Sequence, residues 1–240
     1  MGNPTNNSIS NSVKGVPSWA RGKPGEYMIE VLRSVIRKRG NPPADFERLM
    51  VEKGLIYQVR FDVLAAISML ETNWWNFGGN VTPDMNNPAG IRCQCKKYPL
   101  ACRQGTNGET YGAYKTLEDG IKHFAAHMFC YTSSVDWANA RPADPCWSEW
   151  YSQELRKAKV YGLEPDSIDA CYSLWRDGAL PPTQSCKEAV ASIKVIVAEF
   201  EKAAKELAPD NPNKPSLPSW LLPVGIGLLA IFLWGKRARQ

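Results

Sequence analysis

Glu71 lies in the run Ser68-Met-Leu-Glu-Thr-Asn-Trp-Trp75 and is the carboxylate in this chain best placed for acid catalysis. On a predicted helix, Ile67 lies one turn before it and Leu64 two turns before, so its carboxyl borders an apolar stripe. Partial burial there disfavours the anion and raises the pKa, as a general acid working near neutrality requires. Trp74 and Trp75 follow at once and offer flat faces on which sugar rings stack. Two later segments accompany them. Asn86-Asn-Pro-Ala-Gly-Ile91 reads as a turn whose Asn86 and Asn87 amides and backbone donors suit N-acetyl groups. Tyr111-Gly-Ala-Tyr-Lys-Thr-Leu-Glu-Asp-Gly-Ile121 brings Tyr111 and Tyr114 just ahead of a helix. A single Glu at a helix end is ordinarily a solvated residue. Its conjunction with these segments is what points to chemistry on a glycan.

Three elements precede and carry that constellation. Tyr27, Met28, Val31, Leu32, Val35 and Ile36 recur at helical spacing from Gly25, and Gly40 with Pro42–Pro43 ends the run. A shorter helix is predicted over Ala44–Lys53, with Gly54 as its stop, and a third over Gln58–Glu71. Residues 76–114 are rich in Gly, Pro and Asn and poor in aliphatics, which predicts an irregular or short-stranded lobe. Helical periodicity returns over Leu117–Phe129, Ser148–Lys159, Ile168–Trp175 and Lys187–Leu207. The expected fold class is therefore α+β, predominantly α.

Leu70-Glu71-Thr-Asn-Trp74, Asn86-Asn-Pro-Ala-Gly-Ile91 and Tyr114-x-x-x-Glu118-x-Gly120 together resemble the glucosaminidase-type peptidoglycan hydrolases of glycoside hydrolase family 73. The resemblance covers about residues 55–130. It implies a lysozyme-like domain with a small β lobe beside a cleft, and cleavage of the β-1,4 glycan backbone of bacterial cell wall. It also implies that Glu71 protonates the leaving oxygen, and that Trp74 or Trp75, Asn86, Asn87 and Tyr114 match the family's cleft residues. The family places a second carboxylate in the β lobe, where Glu109 in Asn107-Gly-Glu-Thr fits and Asp84 and Asp119 compete. The related lytic transglycosylases share the fold and the acid without requiring that second group. Asn73 and Trp75 depart from the family pattern, which has Gly on both sides of the Trp.

Composition bounds the rest. The 240 residues are 44% hydrophobic and 22% charged, which excludes a disordered or fibrous chain. The net charge of +5 falls to about +2 without Lys236, Arg237 and Arg239, so no basic face for nucleic acid is expected. Seven Cys lie between residues 93 and 186. They leave three arrangements open: disulfides, a structural zinc using Cys93, Cys95 and one or both of His123 and His127, or buried thiols. The His123-x-x-x-His127 pair lacks a metalloprotease Glu, so no catalytic metal and no cofactor is expected.

The predicted organisation is a flexible arm over 1–24, the lysozyme-like domain over 25–207, a Pro-rich linker over 208–218, a transmembrane helix over 219–235 and a basic tail over 236–240. No charge occurs between Pro215 and Gly235, and Trp220 and Trp234 flank the apolar core of that stretch. A single-pass C-terminal anchor follows as an expectation, with the enzyme in a virion membrane or bacterial envelope. The expected partners are peptidoglycan strands, lipid through residues 219–235, and viral capsid or membrane proteins. A non-catalytic wall-binding module is the competing expectation.

Overall fold

The computed structural model describes residues 16–93, 101–129, 157–164 and 167–208. The described residues up to Lys205 form one compact unit, mostly helical with one small sheet. Helix α1 (Gly25–Ile36) buries Met28, Val31, Leu32, Val35 and Ile36 on one face, as their spacing dictates. Helix α2 (Phe46–Tyr57) is followed by Gln58 in the left-handed conformation, which turns the chain sharply into α3 (Phe61–Glu71).

Helix α3 sits at the centre of the unit. Every residue from Phe61 to Met69 is buried, so the helix is apolar all round rather than striped. It packs against α2 and α1, and α2 in turn packs against α4 (Leu117–Phe129). Charged groups buried with these helices are paired. Glu47 receives a bidentate pair from Arg37 at 2.7 and 3.0 Å, and Asp62 one from Arg60 at 3.0 and 2.6 Å. The Lys53 ammonium joins α2 to α4 by a 2.5 Å bond to Glu118.

The irregular lobe holds two antiparallel strands, β1 (Ala101–Gln104) and β2 (Thr110–Ala113), with Ala101 opposite Ala113 and Gln104 opposite Thr110. On its other side β2 meets Arg92, which bridges to Tyr111, and a Cys93–Cys102 disulfide fastens that segment to β1. Tyr111 and Ala113 pack with Val81 and Met85 in a small core of the lobe's own. Gly120 lets α4 cross the preceding turn, because a Cβ there would collide with the Asn86 carbonyl. Thr116 caps α4: its hydroxyl accepts from the Asp119 N–H at 3.1 Å and donates to the Asp119 carboxylate at 2.7 Å.

Beyond α4, helix α5 (Ile168–Asp177) begins at Ser167, whose hydroxyl accepts from the Ala170 N–H, and ends at Gly178 in the left-handed conformation. Helix α6 (Gln184–Leu207) buries Val190, Ile193, Val197 and Phe200 and is tied to α5 by a 2.6 Å Lys194–Asp169 ion pair.

Three expectations change. Part of the predicted arm is packed: Trp19, in a 3-10 turn over Ser18–Ala20, meets Phe61 edge-on at 5.5 Å. Cys93 is bonded to Cys102, which removes it as a zinc thiolate. Cys171 and Cys186 are buried, Cys95 lies outside the described residues, and no metal-binding cluster occurs among the described residues.

The third correction concerns the membrane. No helix among the described residues is long and apolar enough to cross one. The last described helix, α6, ends at Leu207 and carries Lys187, Glu188, Lys194, Glu199, Glu201 and Lys202 along its length. The predicted span over 219–235, the basic tail over 236–240 and most of the linker lie outside the described residues, as does most of the predicted Ser148–Lys159 helix. The fold of the described residues is accordingly α+β without a spanning helix, and a single-pass anchor and the membrane location built on it are not supported.

Two changes test this architecture. Replacing Cys93 and Cys102 together by Ala removes the cross-link around a short loop, with an expected loss of about 2.5 kcal/mol in denaturant unfolding. Gly120→Ala is expected to cost about 2 kcal/mol, because its methyl meets backbone rather than a side chain that can turn away.

Candidate active site

A cleft of about 910 Å³ opens where α3 ends, between the irregular lobe and α5. Glu71 and Asn73 line it from the end of α3, Arg92 and Tyr111 from the lobe, and Tyr172 and Arg176 from α5. Glu71 reaches this cleft because it is the last residue of a helix buried up to Met69. The carboxylate is the first charged side chain after Asp62 and appears where the helix meets solvent.

The chain beyond Glu71 is held in an unusual conformation. Asn73, Trp74 and Trp75 have φ of +50°, +57° and +60°, and Phe77 has +53°. Each such non-glycine residue costs on the order of 1 kcal/mol, so surrounding contacts must fix the turn. Thr72, buried at its start, supplies several. Its hydroxyl donates to the Ser68 carbonyl at 2.7 Å and accepts from the Trp75 N–H at 3.0 Å. Its carbonyl accepts from the Phe77 N–H at 2.9 Å, while the Trp74 N–H reaches back to the Met69 carbonyl at 2.7 Å. The left-handed positions at 73 and 75 coincide with the two glycines of the pattern that this segment resembles.

Glu71 keeps solvent access through the cleft but is closely surrounded by protein. That burial pushes its carboxyl above the ordinary glutamate range, and its place at a helix C-terminus acts in the same direction. Two opposing effects are smaller. The Tyr172 hydroxyl donates to Glu71 Oε1 at 2.5 Å, and the Arg176 guanidinium attracts the anion. Tyr172 is 1% exposed, and its own pKa is driven far up by burial and by Glu71, so its phenol remains a donor. The arrangement is a carboxyl that holds its proton longer than usual, in a fixed orientation, at the wall of an open groove. Such a group can deliver a proton to an ether oxygen.

The other predicted residues divide sharply. Tyr111 lines the cleft, and its hydroxyl donates to Glu109 Oε2 at 3.0 Å. Glu109 is not among the lining residues. It accepts from Asn107 at 2.9 Å and pairs with Arg92 at 2.9 Å, on the lobe side of the groove. The second carboxylate that does line the cleft is Asp177, which accepts from the Thr183 hydroxyl at 2.7 Å. Of the earlier competitors, Asp84 pairs with Arg103, and Asp119 accepts from the Thr116 hydroxyl at the start of α4.

Trp75 is 6% exposed and packs edge-on between Phe46 and Phe77, each at 5.3 Å, so it is a core residue rather than an open platform. Trp74 is half-buried outside the cleft lining, with the Arg39 guanidinium 4.9 Å above its ring. Trp175 lines the groove from α5 alongside Tyr172, edge-on to His127 at 5.2 Å.

Asn87 is fully buried and fully engaged. Its amide donates to the Ile91 and Gly112 carbonyls, both at 2.9 Å, and its oxygen accepts from the Ala89 and Ile91 N–H groups. No capacity for a ligand remains. Asn86 donates to the Tyr114 carbonyl at 3.1 Å, and the Tyr114 hydroxyl is 2.6 Å from His123 Nδ1. The two asparagines build the lobe and join it to α4, while Ala89, Gly90 and Ile91 of the same motif line the groove.

Tyr172, Trp175 and Arg176 were not legible as site residues. Their one signal is the amphipathic pattern of α5, which marks Tyr172 as inward-facing without saying what it faces. Comparison with family models, with curated proteins and with solved structures finds no match.

The raised Glu71 carboxyl makes stability depend on pH. A folded-state pKa above the unfolded value stabilises the folded protein at low pH, and that contribution is lost as pH rises through the folded value. Glu71→Gln is thus expected to raise Tm near neutrality, with the gain vanishing below the ordinary carboxylate range. Thermal unfolding across pH checks it. Tyr172→Phe removes a bond that favours the anion, so it should move the Glu71 carboxyl higher still. Titrating wild type and variant by carboxyl NMR reads that shift directly.

Proposed function

We propose that the protein is a peptidoglycan hydrolase that cleaves the β-1,4 glycan backbone, with Glu71 as general acid. The observation that carries this reading is the Glu71 carboxyl, held by the Tyr172 hydroxyl at 2.5 Å in an open cleft and shifted towards its protonated form. The resemblance of residues 55–130 to the glucosaminidase-type hydrolases supports it from a separate direction. In the reaction, the Glu71 proton passes to the glycosidic oxygen as the C1–O bond breaks, and the positive charge that develops at C1 is quenched by a nucleophile.

The nucleophile separates two readings. Hydrolysis takes water, directed by a second carboxylate or by the substrate's acetamido group. A lytic transglycosylase takes the C6 hydroxyl of the same sugar, which adds to C1 and returns a proton to Glu71. The engagement of Glu109 by Arg92 and Asn107, outside the cleft lining, favours mechanisms that do without it.

Incubating the full chain with purified peptidoglycan, beside Glu71→Gln, tests both. Soluble fragments with reducing N-acetylglucosamine ends, at least about a hundredfold fewer with the variant, are expected of the hydrolase. Anhydro-muramyl ends by mass spectrometry identify the transglycosylase. Folded wild-type protein that binds wall and releases nothing overturns the enzymatic reading in favour of a wall-binding module.

A further inference from the structure

We propose that Asn73 is a specificity-determining residue, its side-chain amide pairing with the 2-acetamido group of an N-acetylated amino sugar bound beside Glu71. The inference rests on the glycan-cleaving reading above.

Asn73 stands two residues beyond Glu71, lines the same cleft and is exposed to it. Its φ of +50° is a conformation that glycine adopts freely and that an L side chain adopts at a cost. The main-chain bonds of the turn do not account for a side chain here. The Asn73 N–H donates to the Leu70 carbonyl and its carbonyl accepts from the Asn76 N–H, contacts that glycine would make equally well. Among the described residues the Asn73 amide itself has no hydrogen-bond partner.

Neighbouring asparagines differ in this respect. Asn86, also left-handed at φ +51°, donates its amide to the Tyr114 carbonyl, and the Asn87 amide is saturated. Asn80, the other asparagine lining the cleft, accepts from the Thr106 hydroxyl and the Asn107 N–H. Asn73 is thus a strained position whose side chain serves no contact within the described fold and opens onto the groove. Strain of that kind concentrates at functional sites.

The chemistry selects the ligand. The Asn73 carboxamide offers an N–H donor, and a sugar's acetamido group, a trans amide whose N–H and C=O face opposite sides, offers its carbonyl to accept it. A de-N-acetylated amino sugar carries an ammonium in place of the acetamido group. It offers no carbonyl to accept the amide N–H, so that bond is lost and the donor is left unmet. A site built around a hydrogen-bonding group discriminates strongly against a ligand lacking its counterpart.

The test uses Asn73→Gly, which suits the backbone and should preserve Tm, and Asn73→Asp, which tolerates the left-handed conformation but removes the amide donor. Turnover is measured on N-acetylated and de-N-acetylated glycan strands, and binding of a chitin oligosaccharide is measured by calorimetry in the Glu71→Gln background. Both substitutions are expected to weaken chitin-oligosaccharide binding about tenfold. Both should also collapse the wild-type preference for acetylated strands, with turnover of de-N-acetylated strands nearly unchanged. Equal losses on both substrates, or none, overturn the role of Asn73 while leaving the enzyme intact. A folded wild type that turns over neither substrate overturns the underlying reading instead, and the calorimetric comparison still decides Asn73. Unchanged or absent binding there removes the proposal.

Discussion

Burial of α3 on every side is the constraint from which the rest of this structure follows. A helix with no polar face between Phe61 and Met69 must be enclosed, and α1, α2 and the elements they support form around it. Its ends are the only places where it can carry charge. At the start, Asp62 is neutralised by the Arg60 fork; at the finish, Glu71 emerges into a groove. An ionisable group at such a junction is half in protein and half in water, so its protonation is biased without being locked. Rigidity also comes from this origin, since an enclosed helix cannot swing its last residue.

The same end forces the left-handed turn. Having emerged from the core, the chain must return at once to bury Trp75 between Phe46 and Phe77. Three consecutive residues at positive φ accomplish that reversal, held by the Thr72 hydroxyl and by carbonyls of the last helical turn. Large aromatic burial offsets backbone strain here, and the loop that results brings Asn73 and Phe77 to the cleft wall.

Much of the scaffold was legible from spacing alone. The Leu117–Phe129 helix appears with the bounds its periodicity predicts, and α1 and the later helices differ from expectation by a few residues at their ends. The described residues between 76 and 114 do form an irregular lobe with short strands. Side-chain roles were less legible. The Asn86-Asn-Pro-Ala-Gly-Ile91 motif looked like a ligand contact because exposed amides bind ligands, yet amides also satisfy buried turns, and Asn87 does the latter with all four of its hydrogen bonds. Trp75 was read as a stacking platform from its type, although its exposure depends on where the turn returns it.

By itself the sequence determined which segments are helical, where the polar lobe interrupts them, and that Glu71 ends an apolar helix. These are local matters of periodicity, capping and composition, decided within a few turns of chain. Only the tertiary structure decided what surrounds that carboxyl. Tyr172 and Arg176 lie about a hundred residues away and meet Glu71 because α5 packs across the cleft, while Glu109, nearer in sequence, is turned aside to Arg92. Partners of a titrating group are chosen by packing of whole elements, and packing joins residues that no local pattern connects.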